Sequence, residues 1–141
     1  MKPVIVIVGP TASGKTRLSI ELAKKINGSV VSADSMQIYR YMNIGTAKPS
    51  KAEMEGIEHY MIDVADPGEN FSVAKYREMA LDSIQKIIDE NKNPVIVGGT
   101  GLYINSLLYN INFSETICDS ELREALRAEA SEKGNRYLHE K

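Results

Sequence analysis

Apolar residues along the chain fall either into short unbroken runs or into helically spaced sets, and that alternation predicts the elements. Val4–Val8 is a continuous β-branched run, the mark of a strand covered on both faces as in a parallel sheet. From Lys15 to Ile26, the residues Leu18, Leu22, Ala23 and Ile26 recur at helical spacing, and Asn27-Gly28 is a helix stop. Ser29–Ala33 reads as a second strand ending at Asp34. Residues 35–56 carry no clean period: Gln37–Met42 reads as a short helix, and Asn43–Ser50, with Gly45 and Pro49, as loop. His59–Val64 reads as a third strand, closed by Asp66-Pro67-Gly68. Ser72 is placed to cap a helix whose apolar stripe is Val73, Tyr76, Ala80, Ile84, Ile87 and Ile88. Pro94–Val97 is another buried strand, running into Gly98-Gly99-Thr100-Gly101. A helix from Gly101 to about Asn110 follows, then a polar helix capped by Asp119 and ending near Gly134.

The order β-α-β, an irregular segment, then β-α-β-α and a further helix implies an α/β, three-layer fold with a mostly parallel sheet. Four strands are few for a complete fold of this kind, and Asn135–Lys141 gives no clear ending, so the chain reads as part of a longer protein. The 141 residues suit one domain, and 43% hydrophobic residues can bury a core. No run of 18 apolar residues suggests a membrane span. A single cysteine, Cys118, cannot form an internal disulfide, which favours a reduced, cytoplasmic setting. Net charge is −2, mildly against nucleic acid as a partner, but residues 1–52 carry +6 and the remainder −8. The basic part suits an anionic ligand; a solvated surface accounts for most such imbalances.

That basic part contains the strongest chemical signal. Gly9-Pro10-Thr11-Ala12-Ser13-Gly14-Lys15-Thr16 has the spacing Gly-x-x-x-x-Gly-Lys-Thr between a strand and a helix, the setting of a phosphate-binding P-loop. The glycines let successive N–H groups face one centre, and the helix N-terminus adds its dipole. Lys15 supplies a point charge, Thr11 and Ser13 add hydroxyl donors, and the Thr16 hydroxyl is placed to bind Mg²⁺. Asp34 sits at the carboxyl end of a strand, where α/β sheets bind ligands; it serves there as general base or metal ligand, or simply caps a turn. Gly98–Gly101 permits close approach of a ligand, with Thr100 offering a hydroxyl, though a tight strand-to-helix turn explains it equally. A Walker-B aspartate is missing after that strand, which argues against an ordinary ATPase. His59 reads as a strand-edge residue with no metal cluster to join. Tyr39, Tyr41, Tyr60 and Tyr103 suit either base stacking or the core. Arg123 and Arg127, one turn apart, suit a phosphate or a solvated face beside Glu121 and Glu124.

Together these segments resemble the tRNA dimethylallyltransferase (tRNA isopentenyltransferase) family. The resemblance lies in Gly9–Thr16, Asp34-Ser-Met-Gln-Ile-Tyr39, Asn43-Ile-Gly-Thr-Ala-Lys-Pro49, His59-Tyr-Met-Ile-Asp63, Phe71-Ser-Val-Ala74, Gly98-Gly-Thr-Gly-Leu-Tyr103 and Leu122-Arg123. It implies a P-loop NTPase-like fold, incomplete in this chain: residues 1–113 as the N-terminal part of the catalytic core and 114–141 as the start of a helical tRNA-binding insertion. It implies transfer of a dimethylallyl group from dimethylallyl diphosphate to the exocyclic amine of the adenosine next to the anticodon of tRNA. Residues 9–16 would hold the diphosphate, with Lys15 and Mg²⁺ at Thr16 stabilising it as it leaves. Asp34 would be the general base, Ser35, Met36 and Gln37 would line the base site, and Thr100 and Arg123 would touch the tRNA. These 141 residues alone are then expected to bind tRNA weakly and to transfer slowly or not at all. Two readings from other classes stand beside this one: a small P-loop kinase acting on a nucleoside or metabolite, and a non-catalytic nucleotide-binding module.

Overall fold

A computed structural model of the chain describes residues 3–109 and 120–141. The described residues form two compact units, Met1–Ile111 and Asn112–Lys141. The expected boundary after residue 113, and the expected Asp119 cap, lie outside the described residues.

The first unit is built on a four-stranded sheet: β1 (Ile5–Val8), β2 (Gly28–Ala33), β3 (His59–Tyr60) and β4 (Asn93–Gly98). The strand order is β1-β4-β2-β3, and all three pairings are parallel, as the unbroken apolar runs predict. The helices are α1 (Lys15–Ile26), α2 (Lys51–Met54), α3 (Val73–Asp89) and α4 (Gly101–Leu108). Side chains alternate across the sheet. Val31 and Ala33 of β2 and Ile96 of β4 join Tyr76, Ala80, Ile84 and Ile87 of α3 in the main core. The opposite face of β2 meets α1: a Cβ on Gly28 would lie 3.2 Å from the Ala23 Cα. Helices therefore cover both faces, and the architecture is three-layered.

Several local signals act as read. Asn27 closes α1 in the left-handed region at φ 52°, which asparagine tolerates. Ser72 caps α3, its Oγ accepting from the Lys75 N–H at 3.1 Å. Two expectations fail. Gln37–Met42 forms turns and not a helix: the Asp34 carboxylate captures the Met36 and Gln37 N–H groups, and Tyr39 bridges to Ala65. The third strand stops at Tyr60, because Met61 and Asp63 adopt φ 63° and 55°, outside the extended region. A short helix that periodicity did not reveal, α2, is closed by a capping box between Ser50 and Glu53.

The second unit contains α5 (Ser120–Lys133) and α6 (Asn135–Glu140), separated by Gly134 at φ 85°. The Lys141 ammonium donates to Glu129 at 2.8 Å across them. No described helix is long and apolar enough to cross a membrane.

Candidate functional site

The register of the sheet brings the three signal segments together. Val8 pairs with Gly98, and Gly98 pairs with Ala33. Each of these residues is the last of its strand, so Gly9, Gly99 and Asp34 all leave the sheet at one level. Two strand spacings, roughly 10 Å, separate the P-loop strand from the Asp34 strand. This is the carboxyl edge of a parallel sheet, where ligands sit.

Gly98 is what allows the three to lie so close. A Cβ there would stand 2.1 Å from the Ala33 carbonyl oxygen, so no side chain fits. Thr100 then ties β4 to the Asp34 turn: its N–H donates to the Ala33 carbonyl at 3.2 Å, and its Oγ1 accepts from the Ser35 N–H at 3.0 Å.

Residues 9–14 curl between β1 and α1 through two left-handed residues, Ala12 (φ 63°) and Gly14 (φ 84°). Gly9 serves close approach: a Cβ there would crowd the Ser13 Oγ at 3.2 Å. The Lys15 ammonium folds back over the loop and donates to the Pro10 carbonyl at 2.6 Å. Arg17, one residue beyond Thr16, pairs with Glu21 at 2.9 Å.

Asp34 is held by its own turn. Its Oδ1 accepts from the N–H groups of Met36 at 2.9 Å and Gln37 at 3.3 Å, which leaves Oδ2 outside these bonds. Gln37 is committed internally: Oε1 accepts from the Ser32 Oγ at 3.0 Å, and Nε2 donates to the Thr46 and Ala47 carbonyls at 3.3 and 3.1 Å.

A cleft of about 820 Å³ lies between these walls. It is lined by Thr11–Thr16 from the loop after β1, by Asp34, Met36, Gln37 and Thr46 from the segment after β2, and by Val30, Ser32, Val97 and Gly98 of the sheet. Sequence reasoning missed one lining residue and one residue bonded into the segment beside it. His59 also lines the cleft, at the edge strand; its Nδ1 lies 2.8 Å from the Ile57 carbonyl, and burial pushes its pKa below the ordinary value. The other is Lys48, whose ammonium reaches Tyr39, Asn43 and Asp63. Its place inside the Asn43–Pro49 segment was the one signal available.

The tyrosines separate into two kinds. Tyr103 stacks on Tyr76 with centroids 3.8 Å apart and is core. Tyr39 and Tyr60 are half-buried against that core, whereas Tyr41 is 82% exposed. Arg123 and Arg127 are exposed on α5 of the second unit. Among the described residues no group of three or more His, Cys, Asp or Glu side chains converges on a point.

Comparison with known proteins adds independent findings. The family model described as IPP transferase matches residues 37–141. A tRNA dimethylallyltransferase of Acetivibrio thermocellus is 62% identical over 141 residues, which are 100% of this chain and 45% of that protein. That of Alkaliphilus oremlandii is 56% identical over 140 residues, again 45% of its length. The full-length tRNA isopentenylpyrophosphate transferase of Bacillus halodurans superposes with a TM-score of 0.79 at 44% identity, covering 99% of this chain and 46% of that one. A eukaryotic dimethylallyltransferase, solved acting on tRNA, gives 0.74 at 36% identity over 86% of this chain and 29% of its own. The chain thus spans a little under half the length of the curated relatives it matches. The family model begins after the P-loop and Asp34; the full-chain relatives extend the match across both.

Proposed function

Because the chain belongs to the IPP transferase family, we propose that a protein of its relatives' full length carrying these residues moves a dimethylallyl group from dimethylallyl diphosphate to an adenosine amine of tRNA. The observation that carries this reading is the single cleft with the P-loop on one wall and Asp34 on the other. A prenyl transfer needs an anion cup for the leaving diphosphate and a proton acceptor for the incoming amine, a short distance apart.

In this reading residues 9–16 bind the diphosphate through backbone N–H groups and the α1 N-terminus. Lys15, already folded over the loop, neutralises charge that grows as the allylic C–O bond breaks. The Thr16 hydroxyl, on the cleft lining, would hold Mg²⁺, which favours oxygen donors of this kind. When bound, the ion shares the developing charge of the leaving group. The adenosine base enters beside Ser35, Met36 and Gln37 after leaving its stack. Its exocyclic nitrogen is weakly nucleophilic, because the lone pair is delocalised into the ring. As the new C–N bond forms, Asp34 takes the amine proton on the oxygen its turn leaves uncommitted, which contributes about 10²–10⁴-fold. Thr100 holds Ser35 and so the start of that turn; the base-site and tRNA contacts of Ser35, Met36, Gln37, Thr100 and Arg123 belong to the same proposal. A cytoplasmic setting fits a tRNA substrate. The names of the relatives weigh against the small-kinase alternative.

The deciding experiment is single-turnover transfer from dimethylallyl diphosphate to tRNA, run in parallel with ATP and candidate phosphate acceptors. Prenylated adenosine is the expected product. Phosphoryl transfer from ATP without prenyl transfer would overturn the reading.

A further inference from the structure

Lys48 is unusual among the cations of this chain. Its side chain is 6% exposed, and its ammonium donates to the Tyr39 carbonyl at 2.8 Å, the Asn43 Oδ1 at 3.1 Å and the Asp63 Oδ1 at 2.6 Å. An ammonium has three donors, and each has found an oxygen from a different stretch of chain. Burying a lysine charge is costly unless it is paired and hydrogen-bonded, so the arrangement asks for a purpose beyond solubility.

None of the three partners lines the cleft, but they bond into the stretch that carries its lining residues Asp34, Met36, Gln37, Thr46 and Ala47. The backbone between Asp34 and Lys48 leaves β2, passes Tyr39 and Asn43, and returns. Asp63 approaches from the other side, and its N–H donates to the Gln37 carbonyl at 3.1 Å. Gln37 in turn donates its own N–H to the Asp34 carboxylate and its side-chain amide to Thr46 and Ala47. The bonds close a circuit: Asp34 to Gln37, Gln37 to Ala47, then along the chain to Lys48, across to Asp63, and back to Gln37. The circuit includes two residues in the left-handed region, Ala47 and Asp63, at φ 48° and 55°. Such residues persist only where the surroundings over-determine them.

We propose that Lys48 is a positioning residue for the acceptor half of the reaction. Its ammonium locks residues 34–48 so that the Asp34 carboxylate keeps one orientation toward the incoming nucleobase. The inference rests on the prenyl-transfer reading of the same cleft. It adds that the anion cup formed by residues 9–16 is independent of this lock, because none of the circuit's bonds reaches those residues.

The test uses the full-length protein with Lys48→Met, Lys48→Arg and Asp63→Asn. Two readouts are followed: backbone amide exchange at Met36 and Gln37 against that in α3, and prenyl transfer with saturating tRNA beside dimethylallyl diphosphate affinity. Lys48→Met is expected to speed exchange at Met36 and Gln37 selectively. It should lower kcat by ~10²-fold, the scale of a small misplacement of a reacting group, and leave diphosphate affinity unchanged. Lys48→Arg, which keeps the charge but not the compact three-way donor, should recover part of both, and Asp63→Asn should show the same pattern more weakly. Exchange that rises equally in α3 would mean a merely structural lysine and overturn the proposal, as would unchanged exchange at Met36 and Gln37 or an undiminished kcat. A parent protein that transfers no prenyl group while the exchange pattern appears as expected would sink the functional reading and leave the lock standing.

Discussion

The two walls of the cleft are made by opposite means. Residues 9–16 take their shape from backbone conformation, with Ala12 and Gly14 in the left-handed region and Gly9 where a side chain would crowd Ser13. Their main side-chain bond is from Lys15 to Pro10, within the loop itself. Residues 34–48 take their shape from side chains: Asp34, Gln37, Thr46 and Lys48 all bond back to the protein. The difference suits what each would do in the proposed prenyl transfer. A site that receives an anion must keep its donors unspent until the ligand arrives. A wall that aims one carboxylate must spend its donors on itself, since a freely rotating acid places its proton acceptor at random.

This contrast can be broken by substitution. The largest effect is expected from Lys15→Ala, which removes the fixed cation of the anion cup and should weaken dimethylallyl diphosphate binding by ~2–5 kcal/mol. Titration calorimetry measures it, and the thermal midpoint should stay where it was; a variant that loses stability instead would mean that the cup too is held by its side chain. Asp34→Asn keeps the shape and removes the basicity. Single-turnover prenyl transfer should slow by ~10²-fold or more with substrate affinity retained, and normal turnover would reduce Asp34 to a turn cap.

A smaller change sharpens the other side. Thr46→Val deletes the bond from the Thr46 Oγ1 to the Met42 carbonyl, 2.8 Å long. It should cost about 1 kcal/mol in urea unfolding and nothing in diphosphate affinity. The smallest effect is a pH dependence. Burial holds His59 below its ordinary value of 6.5, so on acidification the unfolded chain takes up a proton before the folded one does. The contribution of His59 to stability is therefore fully present above pH 6.5 and is lost as the pH falls below it. Urea midpoints across that range check the slope, which His59→Gln should flatten.

The same contrast explains what could be read from the sequence. Strands β1 and β4 announce themselves as apolar runs, and α1 and α3 as stripes, because burial imposes a pattern on the chain; β2, with Ser29 and Ser32 in it, is read from its place after α1. The P-loop is legible for a related reason: backbone geometry demands glycine at fixed spacing. Between Ser35 and Gly56 neither constraint operates. The shape there depends on which oxygens Lys48 meets and which N–H groups Asp34 captures, and such pairings, two to fifteen residues apart, impose no period on the chain. Hence Gln37–Met42 reads as a helix and folds as turns, and α2 is invisible until the Ser50–Glu53 capping box is seen. His59 is legible as a strand residue but not as a cleft residue, since that depends on Met61 and Asp63 bending the chain away after two paired positions.

On the prenyl-transfer reading, the alignment of Val8, Gly98 and Ala33 at the ends of their strands would bear on substrate choice. Because the walls are anchored to strands with one strand between them, the gap from leaving group to acceptor comes in whole steps of the sheet. Side-chain changes trim the cavity, but they do not slide one wall relative to the other without breaking the ladder. Gly98 pins this spacing, since any larger residue would wedge the strands apart. On that reading the sheet would serve as a ruler, setting the span open to a transferred group before any lining residue is chosen.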